Sequence, residues 1–429
     1  MRVLIVSFSY PPFSSITGLR VSKVSRYLFE QGWDVRVLCA RHDDLPTDLP
    51  LELPTERVTR TGVFDVNALP KFILGRSHVA RRGFEFKGEG LMTRLGKLYR
   101  NLFNFPDGQI GWFPGAVRAG TEMIRHARPQ VILGVGTPWT SHLVAAELSR
   151  RSQIPWIAEY HDPWTDSQSR GRMWPVRPLE RGLEDRVASS ATMIFTASDA
   201  WRDQMARRFP LVPVVTVPFG FEPTDYRPVS PRSGLPLVLG YTGRLYERQD
   251  PGKLFGAVRS LLDIGRLSSS EIRLRFTGRY LEVARRALDA HALPDDVVKI
   301  EDPLRHVDAV AFQQTTTALV LFLGEDDDIG WRPAKLYEYL GAGRPVLVIG
   351  GTERHEALEI LRRARVATWA RATEQVTAVI SKWADELRNS GTLEITPDTA
   401  VVSAFEWQRI AARTGELLRE TVQLGRPGP

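Results

Sequence analysis

The chain runs twice through one pattern, in which short runs rich in apolar and β-branched residues alternate with longer stretches of helical spacing. Strands joined by helix-length crossovers must lie parallel, because each crossover carries the chain back to the same end of the sheet. In the first half the runs are Val3 to Val6, Val35 to Leu38, Val131 to Val135, Trp156 to Glu159, Met193 to Thr196 and Val214 to Val217, with helices expected at Gly18 to Gln31 and Ser141 to Arg151. The pattern stops at Pro223 to Pro236, where four prolines in fourteen residues signal a linker. It restarts with Leu237 to Tyr241, Ile272 to Phe276, Val297 to Ile300, Ala318 to Leu323 and Val346 to Ile349. Helices are expected there at Pro251 to Leu262, Leu281 to Ala290, Arg305 to Gln313, Ala334 to Leu340, Arg354 to Arg362 and Glu374 to Leu387, with a last one ending near Leu424. The 429 residues therefore predict an α/β protein with two parallel sheets, each in its own domain. Ligands of open parallel sheets sit beyond the carboxyl ends of the strands, so a cleft between the two sheets is the expected place for chemistry.

Composition narrows the function classes. A single cysteine, Cys39, excludes an internal disulfide framework and a cysteine metal cluster, and its place in Asp34 to Cys39 predicts a packing role on a strand. No run approaches the roughly 20 apolar residues that span a bilayer, and Met1 to Val6 reads as a first strand rather than a leader. These features predict a cytoplasmic protein. The net charge of +7 is mostly local, since Lys71 to Arg100 carries eight Lys or Arg against two Glu. Within that segment Leu91, Leu95, Leu98 and Leu102 follow helical spacing, with Arg94, Lys97 and Arg100 between them. Such a basic amphipathic helix can lie on anionic lipid, or it can dock on its own domain with a solvated basic face. Nucleic acid is disfavoured, because no basic stripe is interleaved with stacking aromatics. A phosphate-loop lysine and zincin histidines are absent, and the acidic run Gly324 to Asp328 reads as a solvated loop rather than a metal site.

Four segments place reactive side chains at strand ends. Lys335 and Glu338 lie three apart in Pro333-Ala-Lys-Leu-Tyr-Glu-Tyr-Leu-Gly-Ala-Gly-Arg-Pro-Val-Leu-Val-Ile349, on one face of a helix that precedes a buried strand. A helix start favours phosphate, and a carboxylate one turn in can grip ribose hydroxyls, although Lys and Glu at this spacing are also common on solvated faces. Arg244 follows the strand ending Tyr241-Thr-Gly, where a second cation could neutralise a leaving pyrophosphate. Gly18 follows the first strand at a turn where backbone can approach a ligand, and Arg20 beside it could meet a phosphate or a carboxylate. The strand Trp156 to Glu159 delivers His161 and Asp162 beyond its carboxyl end, near Trp156 and Trp164, which could stack on sugar rings.

Taken together, these segments resemble retaining glycosyltransferases of family four, of the glycosyltransferase group 1 type. The resemblance rests on Pro11-Pro12 with Gly18, Phe105 to Trp112, Gly136-Thr-Pro138 with Ser141-His142, Ile154 to Thr165, Val217-Pro-Phe-Gly-Phe221, Tyr241-Thr-Gly-Arg244 and Lys335 to Leu340, in the family's order. It implies the GT-B fold, with Rossmann-like domains facing across a cleft: an acceptor-binding domain at 1–222, a linker at 223–236 and a nucleotide-sugar-binding domain at 237–400. The last helix, within 401–429, is expected to pack back toward the first domain. The implied activity is a metal-independent hexosyl or other glycosyl transfer with retention. No cofactor is implied beyond a UDP or GDP type of nucleotide-sugar co-substrate. The acceptor would be a saccharide, lipid-linked or small-molecule hydroxyl, in polysaccharide, glycolipid or glycoconjugate synthesis at the inner face of a membrane. By position, Glu338 matches the glutamate that holds the donor ribose, Arg244 the arginine on the diphosphate, and Gly18 the glycine of the first loop. Lys335 would assist Arg244, through its side chain or the helix-start amides that include Leu336, and His161, with Asp162, matches the reaction centre. The chain departs from the family at Gly330, where the first glutamate of the Glu, seven residues, Glu motif is missing and Asp327 or Asp328 stands nearest. It departs again at Gln249, where the family carries lysine and Arg248 is the neighbouring cation, and at Leu19, which replaces a second glycine. Two alternatives follow from these departures and from the fold: a catalytically silent nucleotide-sugar binder or partner subunit, and a nucleotide-sugar epimerase.

Overall fold

Runs such as Val131–Val135 and Ala318–Leu323 are buried at every residue, which requires a strand covered on both faces. The computed structural model describes residues 1–42, 48–66, 104–166, 176–227, 233–325 and 329–425. The basic segment from Lys71 to Arg100 and the acidic Asp327 and Asp328 lie outside the described residues.

The strands form two sheets. The first contains β1 (Arg2–Ser7), β2 (Asp34–Ala40), β3 (Val58–Thr61), β4 (Val131–Val135), β5 (Trp156–Tyr160), β6 (Met193–Thr196) and β7 (Val214–Thr216), in the order β3-β2-β1-β4-β5-β6-β7. The second contains β8 (Leu237–Thr242), β9 (Ile272–Thr277), β10 (Val298–Glu301), β11 (Ala318–Leu323), β12 (Val346–Gly350) and β13 (Ala367–Ala370), in the order β10-β9-β8-β11-β12-β13. Every pairing is parallel. In both sheets the strand order reverses beside the first strand, between β1 and β4 and between β8 and β11, and such reversals open a crevice at the carboxyl edge.

Helices connect the strands: α1 (Ile16–Glu30), α2 (Phe113–Ala127), α3 (Thr140–Ser152), α4 (Val176–Ser189) and α5 (Asp199–Arg208) in the first half. The second half has α6 (Gly252–Asp263), α7 (Glu282–His291), α8 (His306–Thr315), α9 (Lys335–Ala342), α10 (Glu356–Arg363) and α11 (Thr373–Ser390), followed by α12 (Thr399–Ser403) and α13 (Trp407–Leu424). Strand periodicity sorts their contacts. Leu237, Leu239 and Tyr241 of β8 join Leu254 and Phe255 of α6 and Ile380 of α11 in one core. On the opposite face, a Cβ at Gly240 would stand 2.5 Å from Thr316 Cγ2, so glycine is what lets the end of α8 close onto β8.

The motif Phe105 to Trp112 owes its acidic residue to local hydrogen bonding. Asp107 accepts from the Thr140 amide at 2.9 Å and from the Thr140 hydroxyl at 2.7 Å, which secures the first turn of α3. Cys39 is buried on β2, where burial pushes its thiol up to about 12, so it packs and does not react.

Two compact units result: Met1–Pro218 together with Ala411–Pro429, and Phe219–Ile410. The chain enters the second unit at Phe219, ahead of the proline-rich stretch. The cause is aromatic packing, with the Phe219 ring 6.5 Å from Tyr337 and 6.3 Å from Trp407. Phe221 exchanges backbone hydrogen bonds with Phe405 and Trp407, each 3.0 Å long. The final helix returns to the first unit at Ala411, where Gly415 sits against Leu28 and Trp33 and Thr421 reaches Met193.

Candidate functional site

In the second unit, the candidate residues converge on the reversal between β8 and β11. β8 runs into Gly243, whose φ of +94 suits glycine, and a Cβ there would lie 3.3 Å from Lys335 Cε. The Lys335 ammonium donates to the Tyr241 hydroxyl and, at 3.2 Å, to the Arg244 carbonyl. Tyr241 in turn donates to that same carbonyl at 2.6 Å. Burial lowers the Lys335 amine to about 7, against the opposing pull of the Glu338 carboxylate. Lysine, tyrosine and the arginine backbone thus form one closed unit at the strand end. The Arg244 side chain itself is exposed, with its guanidinium over the rings of Tyr246 and Tyr280.

Glu338 lies one turn into α9. Its carboxylate accepts from Gln313 Nε2 at 2.7 Å and stands 3.9 Å from His306 Nδ1, both on α8. Gln313 is fully buried and also donates to Thr242 Oγ1 at 3.1 Å, so the carboxylate is fixed relative to the end of β8. Gln313 and His306 had no signature in the sequence, because they sit on α8, some 25 residues upstream of Glu338, and only helix packing brings them to it.

Several expectations need correction here. Leu336 is completely buried, and its amide donates to the Pro333 carbonyl at 2.9 Å, so it belongs to the core and to the helix-initiating turn. The Tyr337 amide is likewise engaged with Ala334 at 3.1 Å, which leaves the Lys335 side chain, rather than these amides, to meet an anion. Gln249 is buried, accepts from the Tyr246 amide at 2.9 Å and donates to the Phe322 carbonyl at 2.7 Å, which ties the loop after β8 to strand β11. Arg248 beside it is exposed, 5.4 Å from the Trp331 ring centre. Gly330 is buried, and Glu325, the described part of the acidic run, is paired with Lys253 and Arg371, each at 2.8 Å.

In the first unit His161 stands just past β5. Its Nε2 lies 3.0 Å from the Glu159 carboxylate and its Nδ1 3.4 Å from Thr17 Oγ1 at the start of α1. Burial pushes the Glu159 carboxyl up, but Arg20 and His161 outweigh it and hold the group at about 2, ionised, so the ring donates through Nε2. Glu159 precedes His161 by two, which places both on one side of the strand line, and this spacing was the signal that could have revealed the pair. Asp162 is exposed at the same edge.

Arg20 does not present itself to a ligand. It is 2% exposed and donates to Glu159 and to the carbonyls of Val217 and Pro218, which makes it a strut under the site. Gly18 is the third residue of α1, and its amide donates to the Ser15 cap at 2.9 Å, so that amide is already used. A Cβ there would crowd Ser15 Oγ at 2.9 Å and the Phe13 carbonyl at 3.1 Å, so glycine serves the tight turn. Trp156 and Trp164 are both fully buried and bonded through their indole N–H groups to Ser190 and Glu180, so neither offers a stacking face to a sugar. His142 is also internal: its Nε2 donates to the Glu159 carbonyl at 2.9 Å, and burial lowers the ring to about 4, keeping it neutral.

Among the described residues no group of three His, Cys, Asp or Glu is placed to hold a metal ion, and no helix is long and apolar enough to cross a membrane.

No curated protein matches the sequence. Among solved structures, the chain is similar to sucrose-phosphate synthase from Thermosynechococcus elongatus, with a TM-score of 0.64 at 14% identity over 98% of both chains. It is similar to a glycosyltransferase from Rickettsia africae, at 0.58 and 9% identity over 98% of both chains. It is also similar to the pneumococcal O-GlcNAc transferase in complex with UDP and GlcNAc, again at 0.58 and 9%, over 98% of this chain and 99% of that one. At such identities the shared property is the fold. Residues 17–220 match the glycosyl transferase 4-like domain. The chain thus has the two-sheet, Rossmann-like GT-B fold, and residues 17–220 of it are similar to a glycosyl transferase 4-like domain.

Proposed function

We propose that the chain transfers a sugar from a nucleoside diphosphate donor, of UDP or GDP type, to a hydroxyl acceptor with retention. The observation that carries this reading is the arrangement at the end of β8, where an exposed arginine, a half-buried lysine and a carboxylate held by glutamine lie on adjoining loops and helix starts of one sheet edge. Breaking an anomeric bond moves negative charge onto the diphosphate. Cations aimed at that leaving group lower the barrier, because they bind it more tightly in the transition state than in the donor. Arg244 and Lys335 are assigned this role and Glu338 the ribose hydroxyls. Arg248, exposed on the same loop, is assigned a supporting contact. His161 and Asp162 are assigned to the transfer itself, with the departing phosphate oxygen taking the acceptor proton. We further assign the product to polysaccharide, glycolipid or glycoconjugate assembly and the protein to the cytoplasmic face of a membrane. The sequence of Lys71 to Arg100 supports this, and sedimentation with anionic but not neutral vesicles would test it.

A thermal-shift screen against UDP, GDP, ADP and dTDP sugars tests donor binding, and release of nucleoside diphosphate with candidate acceptors tests transfer. No stabilisation by any of the four would remove the proposal. A second reading, a silent nucleotide-sugar binder, is favoured by Gln249, which buries an amide where the resemblance calls for a lysine. Binding without release, even with the right acceptor, would decide for it.

A further inference from the structure

The Arg244 guanidinium carbon lies 4.8 Å from the centre of the Tyr246 ring and 4.7 Å from that of Tyr280. Tyr246 belongs to the same loop, but Tyr280 comes from the loop after β9. Two glycines bring those loops into contact. The Gly243 amide donates to the Thr277 carbonyl at 2.8 Å, and a Cβ on Gly278 would fall 2.1 Å from the Gly243 carbonyl oxygen. Beyond this contact Tyr280 adopts φ +59, a left-handed conformation uncommon for a bulky side chain. Neither ring fills a core, for Tyr246 is 36% and Tyr280 52% exposed. Among the described residues no carboxylate is ion-paired with Arg244.

A planar guanidinium packed against ring faces keeps its N–H edge as the approach for an acceptor, and this edge is what engages phosphate oxygens in pairs. An arginine already held in this way loses less side-chain freedom when an anion arrives. We propose that Tyr246 and Tyr280 are positioning residues that hold the Arg244 guanidinium edge-on to a diphosphate. The inference rests on the donor reading above and adds the device that orients its principal cation. Tyr280 is the cleaner probe, since Tyr246 also lies 5.9 Å from Arg248.

The test titrates the full chain with UDP and GDP, using uridine and guanosine as controls, and compares the native protein with Tyr280→Leu, Tyr280→Phe, Arg244→Ala and the Arg244→Ala/Tyr280→Leu double variant. Thermal melting confirms that each is folded, and phenylalanine keeps the ring face. Loss of one ring face should weaken the tighter diphosphate by about two- to five-fold. Nucleoside binding should not move, Tyr280→Phe should retain native affinity, and Tyr280→Leu should add nothing once Arg244 is alanine. Native affinity in Tyr280→Leu, an equal loss in Tyr280→Phe, or the same loss with and without Arg244 would each overturn the clamp while leaving the donor reading standing. If the native chain binds neither diphosphate, or Arg244→Ala binds as tightly as native, the donor reading falls and the clamp with it.

Discussion

Glu338 and Lys335 share a helix turn but differ in how they are held, and their variants should report different things. Glu338 is fixed by Gln313, so its carboxylate meets a ligand without first being ordered. Glu338→Ala should weaken nucleoside diphosphate binding by about ten-fold or more, the usual scale for a lost hydrogen bond to a charged group, and a calorimetric titration that returns native affinity would refute the assignment. Lys335 is a titration device. With its amine lowered to about 7, it is largely neutral at pH 8 and charged at pH 6 in the free chain. A diphosphate beside it favours the charged form, so binding at pH 8 should draw roughly one proton from buffer and binding at pH 6 almost none. Burial sets this titration, opposed by Glu338, with the Tyr241 hydroxyl and the Arg244 carbonyl as the groups that face the amine. Equal binding enthalpies at pH 8 in buffers of different ionisation heat would contradict it. Glu159 acts in the opposite sense on stability. Its carboxyl is held at about 2, below its unfolded value, so it stabilises the fold above the ordinary carboxylate range, and that stabilisation is lost as pH falls toward 2. Glu159→Gln should cost about 3 kcal/mol or more in urea unfolding at neutral pH, because it leaves the buried Arg20 without its counter-charge.

At the scale of elements, the loops after β8 and β9 meet through backbone contact, the Gly243 amide donating to the Thr277 carbonyl. Gly278→Ala forces a methyl group toward the Gly243 carbonyl, and it should lower unfolding free energy by about 1–3 kcal/mol with an unchanged denaturant slope. The same level explains what was legible in the sequence. Strands such as Ala318–Leu323 announce themselves, because a strand buried on both faces has no polar positions. β13 does not: only two of its four residues Ala-Thr-Trp-Ala favour a strand, too short a run to stand out, and the Trp369 indole, which donates to the Gly350 carbonyl at 2.8 Å, helps fix it against β12. Short β3 behind its proline-rich approach was missed in the same way. At the site, the placement of Arg244, Lys335 and Glu338 along one sheet edge was legible because each sits a fixed few residues from a strand end or helix start. The internal contacts of Arg20, Leu336 and the two tryptophans were not, because nothing local distinguishes a side chain facing a ligand from one facing a carbonyl in the core. Their partners lie as much as 198 residues away in sequence, as for Arg20 and Pro218.

For the whole molecule, the two units differ in continuity. The second is one uninterrupted stretch, Phe219–Ile410, and its candidate donor residues all lie within it. The first needs the end of the chain, where Leu417 and Leu418 of α13 are almost fully buried. A chain ending at Ile410 should therefore keep a cooperative melting transition that UDP or GDP raises, and lose the transition belonging to residues 1–218. Melting of both units as in the full chain would show that α13 is dispensable. The division also has a consequence for biosynthesis. A ribosome releases residues 1–218 long before the segment that completes their fold exists, whereas residues 219–410 emerge with everything they need. The residues of the second unit are thus complete before those of the first. The nascent first unit must be kept from association, by its own partial structure or by a chaperone, until the last helix is made.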